Sequence, residues 1–311
     1  PALSVIVFTT ATGAGYGMLF WLGLFAAANA LPPDRYFAPG SLALSLVLVS
    51  AGLLSSTLHL GHPERAWRAI SQWRSSWLSR EGLVALVTYV PALLFGAGMV
   101  VFHRTDGIWA VCGVLAALGG AATVICSAYI YRSLKPIQRW ANAWVLPNYL
   151  SLAAMTGALW LAMMAALFDI DEPALGWLAL ALLPIAAALK IGYWRHIDTT
   201  ASASTAESAT GLAGPVRLLD PPHTSENYLL KEMGFRIARK HASRLRRIAV
   251  ACAFVLPFLL TGSGLMAGEA ARPALFVLSA LLSIFGVLIE RWLFFAEAKH
   301  TVMLYYGASR A

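Results

Sequence analysis

The chain has 311 residues, of which 59% are hydrophobic and only 12% charged, with a formal net charge of +8. Ordinary soluble domains carry about 25% charged residues, and a water-soluble chain of this size could not hide so much apolar surface. The positive charges lie mostly in connections between apolar runs, so they point to membrane topology and docking, and no nucleic-acid partner is expected.

Eight runs contain no Asp, Glu, Lys or Arg: 1–31, 36–63, 82–103, 107–131, 140–168, 173–189, 248–268 and 273–289. A helix of about 20 residues crosses the hydrocarbon core, and a charge at its centre costs about 2.5–3.5 kcal/mol on insertion scales. The expected fold is therefore an all-α integral membrane protein of eight transmembrane helices. It is read as two four-helix bundles, 1–139 and 140–311.

The first run lacks a basic leader and is too long for a cleaved signal, and the chain opens at Pro1, so an initiator Met is expected upstream. Its Gly13, Gly15 and Gly17 read as packing positions, as do Gly119 and Gly120 in the fourth run. GAGYG at 13–17 follows no strand, so a nucleotide loop is rejected.

Residues 56–82, STLHLGHPERAWRAISQWRSSWLSREG, are the most polar interfacial stretch. His59, His62, Glu64, Arg65, Arg68, Arg74, Arg80 and Glu81 share it with three Trp, and such density at membrane depth is expensive unless used. His62 at i+3 from His59 could suggest a metal pair, but Pro63 breaks the helix there and no third ligand is evident, so a metal site is rejected. Further along, Pro91, Pro184 and Pro257 should kink their spans, while Pro147 and Pro273 mark helix starts. Trp67, Trp73, Trp77, Trp140, Trp144 and Trp194 are expected in an interfacial belt. The connection 195–247 divides into a small polar stretch, 199–214, and an amphipathic surface helix, 225–247, with Ser225 as N-cap. Span eight ends in Glu290 and Glu297 on one stripe, with His300 a turn beyond.

Charge sets the orientation. The three connections after spans two, four and six hold seventeen Lys and Arg, Lys190 and Arg195 included, while the opposite ones hold only Arg35, Arg104 and Arg272. The positive-inside rule places both termini and the basic connections in the cytoplasm of a bacterial inner membrane.

Cys112, Cys126 and Cys252 have no metal-ligand spacing, so iron–sulfur or molybdenum centres are assigned to other chains. All seven histidines lie near span ends or in connections, so no haem is expected. The middle of the membrane is nearly empty of carboxylates and lysines, so no proton pump is expected either.

Residues 56–82, with YIYRSLKPIQRWANAWVLPNYL (129–150) and ERWLFFAEAKHTVMLYYG (290–307), resemble the membrane anchor subunits of dimethyl sulfoxide reductase-type molybdoenzymes, the DmsC branch of the NrfD/PsrC-like superfamily. SVIVFTTATGAGYG (4–17) and PPHTSENYLLKEMGFRIARKHA (221–242) look closer to the sulfite:quinone dehydrogenase anchors (SoeC) within it. The resemblance spans essentially the whole chain. It implies a quinone-reactive anchor holding a four-cluster iron–sulfur subunit, which binds a molybdopterin catalytic subunit. The family's quinol-site His maps onto His59 and its Arg onto Arg65. In the best-known dimethyl sulfoxide reductases that connection faces periplasmic catalytic subunits. Here the charges place it in the cytoplasm, which favours a sulfite dehydrogenase-type complex; a quinol-oxidising dimethyl sulfoxide reductase-type complex is the alternative.

The residues support a quinone site (ubiquinone or menaquinone) by themselves. Quinone reduction needs hydrogen-bond donors at two carbonyls and a route for two protons, and a histidine serves both. Arg65 can hold a carbonyl oxygen by a charge-assisted bond. Tyr16, Tyr131, Arg80, Glu81, Glu297 and His300 complete the candidate set. Arg65 could equally pair with Glu64 or Glu81, and structural hydrogen bonds or ion pairs stay open for Tyr16, Tyr131, Glu290 and Glu297. A solute transporter would gather its polar groups at the midplane rather than at one rim. A structural tether without redox chemistry is the third reading.

Overall fold

A computed structural model of the chain describes residues 2–32, 34–58, 60–201, 204–220, 240–308 and 310. Eight helices are long and apolar enough to cross a membrane: α1 (Leu3–Ala27), α2 (Phe37–Thr57), α3 (Trp77–Val100), α4 (Ile108–Arg132), α5 (Val145–Leu167), α6 (Pro173–Thr199), α7 (Ala242–Met266) and α8 (Arg272–Ala296). Among the described residues the chain is helical apart from loops and one isolated antiparallel bridge, Thr205–Arg310. His59 and residues 221–239, with Ser225 and most of the expected surface helix, lie outside the described residues.

Two helices run further than their uncharged runs. α6 continues to Thr199, so Lys190 and Arg195 are helical and not part of a connection. Lys190 is tolerated there because its ammonium meets the Glu290 carboxylate. α7 begins at Ala242, so Arg244, Arg246 and Arg247 belong to its first turns.

α1 and α5 are the most buried helices and form the central seam. α1 packs on α2, α4, α5 and α8, while α5 packs on α1, α4, α6 and α8. Lipid gives helices no hydrophobic drive to associate, so close backbone packing and interhelical hydrogen bonds must hold the seam. At its centre Gly17 lies against the backbone of Ala153 and Gly157, leaving no room for a side chain. Trp21 Nε1 donates to Ala154 O at 2.9 Å across the seam, and Ser45 Oγ of α2 donates to Gly15 O of α1 at 2.8 Å beside it. A Gly17→Val chain should lose at least about 1–3 kcal/mol through overpacking. The expected readout is a lower thermal midpoint in detergent; an unchanged midpoint would refute the close crossing.

Pro257 has no N–H to offer the carbonyl of Ala253, one turn back. There α7 opens into a π-turn, Ala251–Val255, and Ser283 Oγ of α8 donates to Ala253 O at 3.2 Å. Ser279 Oγ also donates to Pro257 O at 3.1 Å. The kink is thus stitched to its neighbour. The tryptophans divide: Trp67 and Trp73 are exposed at the interface, whereas Trp140 and Trp194 are buried in the core. Trp140 packs inward, its indole N–H donating to Phe294 O at 2.9 Å and its ring stacking on Phe294.

Candidate functional site

Successive spans alternate in direction, so the starts of odd helices and the ends of even helices share one end of the bundle. The connection between α2 and α3 lies at that end. After His62 the backbone winds a 3₁₀ segment, Pro63–Gln72, with no buried residue. It is fastened to α3 from below: Ser76 caps the helix, and Ser79 Oγ donates to Ala69 O. Arg80 donates to Trp73 O at 2.9 Å and to Arg74 O at 2.7 Å, with its guanidinium 4.3 Å from the Trp77 ring centroid. Arg80 therefore closes the turn. Arg65 is exposed, with Nε 3.7 Å from Glu64 Oε1, and His62 Nδ1 lies 3.0 Å from the same carboxylate oxygen.

Glu81 turns the other way, since adjacent helical side chains diverge by about 100°. It is 3% exposed, and the Ser127 hydroxyl of α4 bonds to its Oε1. No salt bridge reaches it among the described residues. Ser127 Oγ also lies 3.1 Å from Thr123 O. With one hydroxyl proton, Ser127 serves one acceptor at a time: it donates to Glu81, or donates to Thr123 O and accepts from a Glu81 acid O–H. This pair is a place where a proton can be held or passed. Tyr16 is buried deeper in α1 against Gly120 of α4. Ser50 and Tyr89 join α2 to α3 at 2.6 Å.

On the far side of the α1–α5 seam lies a second polar cluster. Lys190, 1% exposed, pairs with Glu290, which is fully buried, and Arg291 Nε sits 3.2 Å from the other oxygen of that carboxylate. Tyrosine faces shelter both cations: Lys190 Nζ is 4.2 Å from the Tyr193 centroid and Arg291 Cζ 3.9 Å from that of Tyr149. Tyr131 packs into this aromatic cluster, 5.2 Å from Trp140 and 6.0 Å from Tyr149, and not beside Tyr16. Towards the bundle end, Arg246 grips Glu297 at 2.7 and 3.3 Å and Asp198 at 2.5 and 3.1 Å. Glu297 caps α8, and His300 Nδ1 accepts from Val302 N–H at 2.9 Å to start the last turn, Thr301–Tyr306.

The candidate residues thus fall into three places. Arg65 in the interfacial connection and Arg80 in the first turn of α3 lie together, Tyr16 and Glu81 lie inside the first four helices, and Tyr131, at the end of α4, packs towards the second four, where Glu297 and His300 lie. Sequence reasoning overlooked Ser127, Tyr149, Arg246 and Arg291, and treated Lys190 as a loop charge. One signal was available: Lys190 and the Glu290–Arg291 pair interrupt apolar helical pattern at similar distances from the ends of even-numbered spans. Opposite charges at matched depth are partners by default, because neither is stable alone in lipid. Among the described residues no three His, Cys, Asp or Glu side chains gather as a metal site.

The model of the DMSO reductase anchor subunit (DmsC) family matches residues 1–307. The C subunit of the sulfite dehydrogenase of Allochromatium vinosum is 34% identical over an alignment covering 98% of each chain.

Proposed function

Since the chain belongs to the DMSO reductase anchor subunit (DmsC) family, we propose that it anchors a sulfite dehydrogenase-type complex in the membrane and passes electrons to a quinone there. The quinone, ubiquinone or menaquinone, is a substrate that takes two electrons and two protons. The electrons come from a four-cluster iron–sulfur subunit fed by a molybdopterin catalytic subunit. Both dock on the basic end of the bundle, which the charge asymmetry assigns to the cytoplasmic side of a bacterial inner membrane, with both termini on that side. The two halves, 1–139 and 140–311, divide the labour: the first carries the quinone site, the second braces it.

The observation that carries this reading is the Glu81–Ser127 pair, a buried carboxyl with no cation paired to it among the described residues, at the end of the bundle that carries the polar connection 56–82. A buried carboxyl without a cation is costly to keep and has a clear use as a proton donor to a reduced quinone. His59 and Arg65 supply donors to the headgroup oxygens. Arg80 holds the end of the connection that carries Arg65. Tyr16 lines the first bundle below Glu81, and Tyr131, Glu297 and His300 order the adjoining end of the second.

Membranes bearing the assembled complex should reduce added short-chain quinone when given sulfite, and the soluble subunits without this chain should not. Sulfoxide-dependent oxidation of quinol in place of that reaction would favour a dimethyl sulfoxide reductase-type complex. Equal rates with and without the chain would reduce it to a tether.

A further inference from the structure

Between α1, α4, α5 and α8 lies a cavity that the proposed quinone chemistry leaves unused. Seven polar side chains share its walls with apolar ones: Thr9, Thr10 and Thr12 of α1, Ser127 of α4, Tyr149 and Thr156 of α5, and Arg291 of α8. All of these are buried. Gly13 also lines it, and a methyl group built there would touch nothing. Thr9, Thr12 and Thr156 bond back to their own helices at 3.0, 2.7 and 2.7 Å, which turns their remaining lone pairs outward as acceptors. Thr10 Oγ1 makes no hydrogen bond among the described residues, and the polar neighbour of the Tyr149 hydroxyl is the Arg291 guanidinium, also of the cavity wall. A buried hydroxyl without a partner is costly, so Thr10 at the wall of this cavity calls for a partner within it. The cavity offers about 20 Å³ to a water-sized occupant. Roughly 10–15 Å³ on that measure holds one water, which needs two to four polar partners.

We propose that this cavity holds ordered water joining Ser127 to Tyr149 and Arg291, so that the proton carried by Glu81 is positioned from across the α1–α5 seam. The inference rests on the proposed quinone chemistry for its purpose but not for its test. Glu81 meets Ser127 on one side, and Ser127 meets the cavity on the other. Tyr149 is seated beneath the Arg291 guanidinium, and Glu290, itself paired with Lys190, fixes that guanidinium. The ion cluster of the second half thereby acts as a mount, holding a tyrosine and a guanidinium against the water. No charge moves along it. Arg291 stays protonated throughout, and the exchangeable proton travels only among Glu81, Ser127 and water. Tyr149 and Arg291 are positioning residues in this arrangement. They explain why a membrane protein keeps a buried lysine, glutamate and arginine on α6 and α8, away from the helix that bears Glu81.

Infrared difference spectra of the whole complex in H₂O and D₂O provide the test. A carboxylic-acid carbonyl band, identified as that of Glu81 by its loss in Glu81→Gln, should shift in Ser127→Ala. It should shift as well in Tyr149→Phe and in Thr10→Val, although neither residue touches Glu81. Both substitutions keep shape and volume, so the complex should assemble. The pH profile of quinone-coupled turnover should be displaced in the same two variants, with dye-linked sulfite oxidation unchanged. A Glu81 band unmoved by both Tyr149→Phe and Thr10→Val would overturn the water link, as would a Glu81→Gln spectrum that loses no band. If the wild-type complex turned over no quinone, the proposed function would fail while the band shifts still decided the water link.

Discussion

Replacing His59 with alanine is expected to lower quinone-coupled turnover at least about 100-fold, the lower bound for a positioned acid–base group. The complex should still assemble, and its dye-linked reaction should be unchanged. The reasoning is one of position and chemistry. In the sequence His59 lies two residues beyond the end of α2 and at the head of the polar stretch 56–82, whose later part is held to α3 by Ser79 and Arg80. Imidazole is the only side chain whose ordinary titration brackets neutral pH, which suits a group that donates to a quinone oxygen and is reprotonated from water. Arginine at the same position would keep a donor but lose the exchangeable proton. Its turnover should therefore fall comparably, even where a quinone analogue still binds. Full turnover in His59→Ala membranes, with the complex present in normal amount, would move the quinone site elsewhere.

Glu290→Gln should destabilise the chain by about 3–5 kcal/mol, the usual cost of breaking a buried ion pair from one side. The reason lies in the count of charges. Glu290 is the shared anion of Lys190 and Arg291, so its neutralisation leaves two cations within the helix bundle. Lys190→Met should cost less, since Glu290 keeps Arg291. The double variant should recover part of the loss, because one stranded cation leaves with the anion. Thermal melts of the detergent-solubilised complex, with abundance in membranes as a second readout, would measure this. Equal midpoints for Glu290→Gln and wild type would mean that the three charges are solvated and do not form a mount for Tyr149.

Much of this architecture can be read before any coordinate is known, and particular residues mark where that stops. Each apolar run became a helix, because the cost of inserting a segment is a sum over its own residues. Helix ends were less legible. The run ending at 189 stops at a charge, yet α6 goes on to Thr199, because Glu290, a hundred residues away, satisfies Lys190. Trp140 and Trp194 have the composition of an interfacial belt, but Phe294 O and the Lys190 and Arg246 cations draw them inward.

The candidate site divides in the same way. Its density between residues 56 and 82 is visible in one dimension, since polar groups clustered beside an apolar run are costly wherever the chain goes. That Glu81 faces Ser127 while Arg80 faces the backbone of Trp73 and Arg74 depends on helix phase and on α4 lying alongside α3. By itself, then, the sequence determined the number of spans, their order and the polar end of the bundle, because hydrophobicity and charge act locally along the chain. The tertiary structure alone decided which charges neutralise one another and which hydroxyls share a cavity. Those energies depend on separations of a few ångströms between helices far apart in the chain, and the order of residues does not contain such distances.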